Sequence, residues 1–108
     1  MLTPSPELDR SVAEACGFSF DVNAHGMIFR NGEDESDWFE PSTDLNDAFL
    51  AAGRIASTIS LLYDDAISAW HAALDGRRST ADDCRFRATE DTPALAICAA
   101  ILAMKGKA

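Results

Sequence analysis

Apolar residues recur at the three- and four-residue spacing of a helix in three segments of the chain. The first begins at Ser5 and Pro6, a capping hydroxyl followed by a helix-starting proline, and ends before Gly17. The second begins among three successive capping candidates, Ser42, Thr43 and Asp44, and the third begins at the cap Thr92. This pattern predicts three helices, over residues 6–16, 44–52 and 93–104.

Between the helices, apolar and polar residues alternate with the period of a half-buried strand. Phe18, Phe20 and Val22 alternate with Ser19 and Asp21, and a turn-forming run follows them. The same criterion predicts strands over residues 18–22, 27–30, 58–63 and 84–88, with residues 38–39 as a short edge strand.

Residues 66–74 fit two periodicities. Ile67, Trp70 and Leu74 match one side of a helix, whereas alternate residues from Ile67 to Ala73 match one face of a strand. The aspartate pair before this segment and the Asp-Gly pair after it favour a strand within a meander. We therefore predict a strand, with a helix as the alternative.

The order of elements is helix, hairpin, helix, meander, helix, and short turns separate most successive strands. The sequence therefore predicts one α+β domain over residues 1–108, with three helices packed on a largely antiparallel sheet of about five strands. A composition of 47% hydrophobic and 25% charged residues is globular. Neither a secretory signal nor a membrane span is expected, since the longest apolar run is residues 93–104.

The negative charge is concentrated in one stretch. The chain has a net charge of -9, and residues 31–53 carry seven carboxylates with no lysine or arginine. Such a charge repels nucleic acid and anionic membranes, so direct binding to either is not expected. The pattern favours a basic protein surface, including the nucleic-acid groove of another protein, as the partner.

Two aromatic residues, Trp38 and Phe39, lie inside this stretch. Either both rings are buried, leaving an acidic rim, or at least one is exposed as an aromatic contact among charges. Asp44 and Asp47 also favour the positive end of a helix dipole without any partner. The predicted partner-binding residues are Glu33, Asp34, Glu35, Asp37, Trp38, Phe39, Glu40, Asp44 and Asp47.

No motif indicates a cofactor, a metal or a catalytic group. Glu33, Glu35 and Asp37 alternate like the first ligands of a calcium loop, but Trp38 stands where that loop needs glycine. The cysteines, Cys16, Cys84 and Cys98, have no metal or redox spacing and are predicted to be reduced and buried. We expect no enzymatic activity, no cofactor and no metal site.

The arginines are grouped near the last predicted strand. Acidic neighbours make this region nearly neutral, which does not favour a nucleic-acid footprint. Pairing of these arginines with the acidic stretch of a second copy would produce a homodimer. The arginines are Arg77, Arg78, Arg85 and Arg87, and the acids are Asp75, Asp82, Asp83, Glu90 and Asp91.

Three blocks of the sequence together resemble a family of small bacteriophage proteins, the phage ABA sandwich domain. They are Leu8 to Phe20, the helix start Pro41-Ser42-Thr43-Asp44, and Asp91 to Cys98, which opens the last helix. The resemblance implies an α/β/α sandwich, with helices on either side of a sheet, and a phage or prophage origin. It implies no activity and no functional residue.

These observations favour a phage-encoded interaction protein of the host bacterial cytoplasm. Its acidic surface would block a basic host factor by imitating DNA, and the leading candidate is an antiviral defence component such as a CRISPR-Cas effector. Two alternatives stay open. One is a small-molecule or signalling-nucleotide binder that uses the arginines, and the other is a phage structural or morphogenesis component.

Overall fold

The computed structural model describes residues 2–24, 26–30, 38–76 and 85–106, with residues 30, 76 and 85 described by their backbone alone. Within these ranges the chain forms three helices and five strands. The helices are α1 (Pro6–Ala15), α2 (Leu45–Gly53) and α3 (Pro93–Met104). The strands are β1 (Phe20–Val22), β2 (Ile28–Arg30), β3 (Ala56–Asp64), β4 (Ala69–Gly76) and β5 (Arg85–Glu90).

All strand pairs in the described ranges are antiparallel, and they form two sheets. β1 and β2 make a hairpin, while β3, β4 and β5 form a three-stranded meander with β4 in the centre. The α+β class with antiparallel strands and three helices is thereby confirmed, and the ambiguous segment 66–74 contributes to β4 as predicted. The strands are divided between two sheets, whereas a single sheet was expected.

The helices begin where the sequence places their caps. The Ser5 Oγ accepts a hydrogen bond from the Leu8 amide at 3.0 Å, and the Thr92 Oγ1 accepts one from the Leu95 amide at 3.1 Å. Gly17 follows α1 with a φ of +76°, a left-handed conformation that glycine adopts without strain. The predicted helix boundaries differ from the observed ones by about one residue.

Helix α3 lies at the centre of the core. It packs on β4 and β5 and also against α1 and α2, so its sides are covered nearly all round. Small alanines let these neighbours approach closely, while the larger side chains fill the space between the layers. Its buried residues are Ala94, Leu95, Ala96, Ile97, Cys98, Ala100, Ile101 and Leu102.

The three-stranded sheet has one buried and one open face in the described part of the molecule. Ala72 and Leu74 of β4 face the core, and they are 1% and 0% exposed. On the opposite face, Leu62 of β3 is 66% exposed and the side chain of His71 is 39% exposed. No described helix covers this second face.

Two cysteines follow the sequence prediction. Cys16 and Cys98 are free and buried. Burial raises the pKa of the Cys16 thiol to about 11 and raises the pKa of Cys98 further, so both thiols stay protonated at neutral pH. Cys84 lies outside the described residues.

A membrane-spanning helix is not found among the described residues. The longest described helix, α3, has 12 residues, fewer than the about 20 that a bilayer requires.

Candidate functional site

The acidic stretch that the sequence singles out is only partly described. Trp38 and the residues that follow it are in place in the structure. The four acids that precede Trp38, which are Glu33, Asp34, Glu35 and Asp37, lie outside the described residues. The described part of the predicted site is therefore Trp38, Phe39, Glu40, Asp44 and Asp47.

Phe39 belongs to the core, so its prediction as a partner-binding residue is corrected. Its side chain is 1% exposed, and its ring centroid lies 4.9 Å from that of Phe18. The Phe39 amide donates a hydrogen bond to the Ile28 carbonyl at 3.0 Å, which fixes the segment against β2. A ring held this way cannot contact a partner without local unfolding.

Trp38 points the other way and stays partly exposed. It forms a bridge with Phe29 of β2, and the two rings meet edge to face with centroids 5.5 Å apart. Successive residues of an extended segment point to opposite sides, so burial of Phe39 places Trp38 on the outside. Of the two aromatic residues, Trp38 alone is placed to contact a partner.

The acids after Trp38 also hold the local backbone together. The Asp44 Oδ1 caps α2 by accepting hydrogen bonds from the amides of Asn46 at 2.9 Å and Asp47 at 3.4 Å. The Asp47 Oδ2 accepts a hydrogen bond from the Glu40 amide at 2.9 Å. These bonds tie the start of α2 to Glu40, two residues after Trp38, and they leave Asp44 exposed and Asp47 and Glu40 partly exposed.

A small pocket adjoins this acidic surface, and the sequence did not predict it. It has a volume of about 200 Å³ and lies between the start of α1, the start of β2 and residues 40–43. Glu40, which belongs to the acidic stretch, forms part of its wall. The lining residues are Pro4, Ser5, Pro6, Asp9, Met27, Ile28, Glu40, Ser42 and Thr43.

Asp9 supplies a buried carboxylate to this pocket. It is 7% exposed, and its Oδ1 accepts a hydrogen bond from the Ser42 amide at 2.8 Å. Burial raises the pKa of Asp9, and hydrogen bonds from the side chain and the amide of Ser42 oppose part of that rise. The sequence contained a signal for the burial of Asp9, because this residue lies one helical turn before Ala13, within the apolar stripe of α1.

Ser42 brings a second polar group to the same pocket. The residue is 1% exposed, and its hydroxyl lies close enough to the Asp9 carboxylate to act, together with the Ser42 amide, against the rise in the pKa of Asp9. The Oγ makes no hydrogen bond of regular geometry in the part of the chain that the structure describes. Both polar groups of Ser42 are therefore directed at the buried carboxylate.

The open face of the three-stranded sheet carries a second, wider groove of about 370 Å³. Its polar side chains come from opposed positions on neighbouring strands, since His71 pairs with Leu62 on one side and with Thr89 on the other. Arg87 also lines the groove and is exposed. The lining residues are Ser60, Leu62, His71, Ala72, Ala73, Arg87, Ala88 and Thr89.

Two hydrogen bonds hold the His71 imidazole in this groove. Its Nδ1 lies 2.8 Å from the Thr89 Oγ1, and its Nε2 lies 3.1 Å from the Asp64 Oδ2. The hydrogen bond with His71, together with one from the Ala66 amide, lowers the pKa of Asp64. Thr89, His71 and Asp64 thus stand in the order hydroxyl, imidazole, carboxylate, as in a catalytic triad. Water reaches both His71 and Asp64, and this weakens the electrostatic activation that the Thr89 hydroxyl would need for catalysis.

The predicted arginine group is also only partly described. Arg87 lies in the groove, while Arg77 and Arg78 fall outside the described residues and the side chain of Arg85 is not described. The described ranges contain no group of three or more side chains suited to hold a metal ion. The acids weighed for a calcium loop precede Trp38 and lie outside these ranges.

Comparison with known proteins gives no assignment. No protein-family model matches the chain, and no curated protein matches its sequence. The resemblance to the phage ABA sandwich domain therefore stays a prediction.

Proposed function

We propose that this protein is a non-enzymatic interaction protein that binds a basic surface of a protein partner through its acidic stretch. One observation carries the proposal: a partly exposed Trp38 is fixed on β2, two residues before Glu40, whose amide is bound by Asp47 of α2, and four further acids precede Trp38 in the chain. Exposed aromatic rings among charges are enriched at protein interfaces.

The carboxylates and the Trp38 ring are expected to act on different rates, those of association and of dissociation. Carboxylates grouped in one stretch of the chain attract a positive surface over about 8–10 Å at physiological salt and speed the encounter. Desolvation of the Trp38 ring on contact slows dissociation. Neutralising the charges is therefore expected to change the association rate, and removing the ring is expected to change the dissociation rate.

The charge prediction is tested by replacing Glu33, Asp34, Glu35 and Asp37 with the corresponding amides. We expect a lower association rate for a basic partner captured from host lysate, and a flatter dependence of that rate on salt. Stopped-flow or surface-based kinetics at several salt concentrations measures both quantities.

A matched control changes the same net charge elsewhere. Glu14, Asp64, Asp65 and Asp91 are exposed or partly exposed and lie outside the acidic stretch, on α1, at the turn between β3 and β4 and just before α3, so their amide variants leave that stretch intact. Equal kinetics in the two quadruple variants would show that only total charge matters and would refute a localised binding surface.

In its finer form, the proposal concerns a phage protein. We propose that the chain belongs to the phage ABA family, and that the protein acts in the host bacterial cytoplasm. The partner would be an antiviral defence component, such as a CRISPR-Cas effector, whose DNA groove the acidic surface occupies. The support is the three-block sequence resemblance and the concentration of negative charge.

A second candidate function is binding of a small anionic ligand, such as a signalling nucleotide. The observation that favours it is the groove of about 370 Å³, where Arg87, His71 and Thr89 offer donors beside apolar Leu62. This volume lies within the range of small-molecule sites, about 300–1,000 Å³.

Melting curves with mono- and cyclic nucleotides test this candidate. A ligand at about 100 times its dissociation constant should stabilise the protein by about 2.7 kcal/mol, and Arg87→Ala should abolish the effect. Arg10→Ala, which removes an exposed arginine of α1, is the control and should leave it unchanged. An absence of stabilisation by every nucleotide would reject this function.

A further inference from the structure

The outer edge of β3 is open in the described part of the chain. β4 pairs with one edge of β3, and no described strand pairs with the other edge. An open edge presents backbone N–H and C=O groups to other chains, and proteins usually protect it with charged side chains, proline or a bulge. A bulge lies between Ala56 and Thr58, at the start of β3, and the strand is regular from Thr58 to Asp64.

The regular part of β3 lacks the usual protection. The sequence from Thr58 to Tyr63 contains neither a charged residue nor a proline, although the chain has a net charge of -9. The strand at the opposite edge of this sheet, β5, contains two arginines and a glutamate. On β3, Leu62 and Tyr63 are 66% and 49% exposed. Of the two edges, β3 is therefore the one suited to pair with another strand.

Tyr63 is exposed on the face of the sheet that the helices cover. It pairs with Trp70, which packs against the core, and the two ring centroids are 5.2 Å apart. Residues directly opposite each other on neighbouring strands lie on the same face of a sheet, so Tyr63 also lies on the helix side. Because its ring is half exposed there, the helix layer covers this end of β3 incompletely.

Helix α2 carries a second exposed apolar surface. It packs on β3 and precedes it directly in the chain, since α2 ends at Gly53 and β3 begins at Ala56. The buried residues of α2 are alanines, whereas Phe49 and Leu50 are 39% and 41% exposed. Four of the six exposed large apolar residues in the described ranges thus lie on two elements that contact each other.

A second copy of β3 matches this edge in an antiparallel register centred on Leu61, the middle of the regular part of the strand. A two-fold axis at Leu61 places Ile59 opposite Tyr63 of the second copy, and a β-branched residue opposite an aromatic residue is a favourable pair. It also places Thr58 opposite Asp64 of the second copy, a hydroxyl donor opposite a carboxylate. No two acids oppose each other, and both pairs recur on the other side of the axis, as a two-fold interface requires.

We propose that this protein forms a two-fold symmetric dimer in which β3 pairs with β3 of a second copy, so that the two three-stranded sheets become one continuous antiparallel sheet. A second copy fits this edge better than a basic partner does, because a basic strand would meet no carboxylate between Thr58 and Tyr63. The inference goes beyond the proposed function, since neither Trp38 nor the acids around it take part in this contact.

The same axis brings the start of one β3 beside the end of the other. Helix α2 of the second copy, which adjoins the start of its own β3, then lies near the half-exposed Tyr63 of the first copy. Phe49 and Leu50 of that helix are the apolar residues that cover the ring. One symmetry operation therefore pairs the open strand edge and buries the exposed apolar residues of both elements.

Sedimentation equilibrium of the full chain over a wide range of concentrations, at low and high sodium chloride, tests the dimer. We expect a reversible equilibrium between monomer and dimer whose dissociation constant does not rise with salt, because the paired strands are uncharged from Thr58 to Tyr63. A monomer at every concentration would overturn the proposal. So would a dimer that dissociates when salt is added, which would indicate pairing of arginines with acids.

Variants locate the interface on β3 and α2. Leu62→Lys places a charge on each of the paired edges and should raise the dissociation constant about tenfold or more. Replacing Phe49 and Leu50 together with alanine should raise it about three- to tenfold. Val22→Lys makes the same charge change at an exposed residue of β1 and should leave the dimer unchanged. Equal effects of Leu62→Lys and Val22→Lys would overturn the β3 interface.

The register is tested on a mixture of ¹³C-labelled and unlabelled chains, in which filtered NMR experiments detect contacts between copies. We expect intermolecular NOEs between the Tyr63 ring and the Ile59 side chain. Circular dichroism shows that each variant remains folded, so that a lost dimer is not an unfolded protein. Intermolecular NOEs confined to elements other than β3 and α2 would overturn the proposed pairing even where a dimer forms.

Discussion

Phe39→Ala is expected to lower the free energy of unfolding by about 3–5 kcal/mol, the cost of removing a large ring from a packed core. The Phe39 ring is 1% exposed and packs on Phe18. The Arg54 guanidinium lies over the Phe18 ring, 4.4 Å from its centroid. A cavity at Phe39 therefore also disturbs this cation–π contact. Urea unfolding followed by circular dichroism measures the loss.

Trp38→Ala is the matched variant, because it removes the adjacent aromatic ring from the outer side. The ring is partly exposed and contacts Phe29 by its edge, so the loss of stability should be clearly smaller than for Phe39→Ala. The effect on binding should be the reverse. Trp38→Ala should raise the dissociation rate of the basic partner although the protein is still folded.

A total stability of about 5–15 kcal/mol is usual for a domain, so Phe39→Ala could leave a large unfolded fraction. Phe39→Leu keeps an apolar side chain and should cost less than the alanine variant, which provides a graded readout in a folded protein. A negligible cost for both substitutions would contradict the burial of this ring. Equal costs at positions 38 and 39 would contradict the division of the two residues between core and surface.

This division also shows where sequence reasoning reaches its limit. The alternation of side chains in an extended segment predicts that Trp38 and Phe39 point to opposite sides. It does not tell which of the two faces the core, because both are large and apolar and their neighbours are acidic. The bridge between Trp38 and Phe29, which are nine residues apart in the sequence, decides it.

Most elements could be predicted because their signals are local. Ser5, Asp44 and Thr92 cap helices in the structure as their residue types indicate. Alternation and turn residues place the strands, and the turns on both sides identify β4 where periodicity is ambiguous.

The division into two sheets could not be predicted in the same way. Residues 18–22 and 84–88 show the same alternation, yet one segment contributes to a hairpin and the other to the meander. Sheet membership depends on contacts between distant parts of the chain, in particular on α3, which packs on β4 and β5. The groove on the open face escaped prediction for this reason, since it needs three strands in register.

The acids of this chain differ in what they do. Asp44 and Asp47 accept backbone hydrogen bonds, so part of the negative charge stabilises the fold whether or not a partner binds. Asp9 joins α1 to residues 40–43 through the Ser42 amide, and that bond positions the loop that follows Phe39. Substitutions at these three positions therefore need a stability measurement beside any binding measurement.

Asp9→Ala is expected to lower the free energy of unfolding by about 1–3 kcal/mol, because it leaves the Ser42 amide without its acceptor in a buried site. Asp9→Asn keeps an oxygen for that amide and removes the ionisable group, so it should retain most of the stability. Chemical unfolding of both variants at several pH values measures the two effects.

The pH dependence has a definite sign. Burial raises the pKa of Asp9 in the folded state, so the folded protein holds this proton more tightly than the unfolded chain does. The resulting stabilisation is fully present below the unfolded-state pKa, near the ordinary value of 3.8, and is lost as the pH rises through the raised folded-state pKa. The asparagine variant resembles the protonated acid at every pH.

The stability of Asp9→Asn relative to the native sequence should therefore increase with pH across that window and then remain constant. A relative stability that falls with rising pH would mean that the folded state favours the carboxylate, and the pKa would then be lowered.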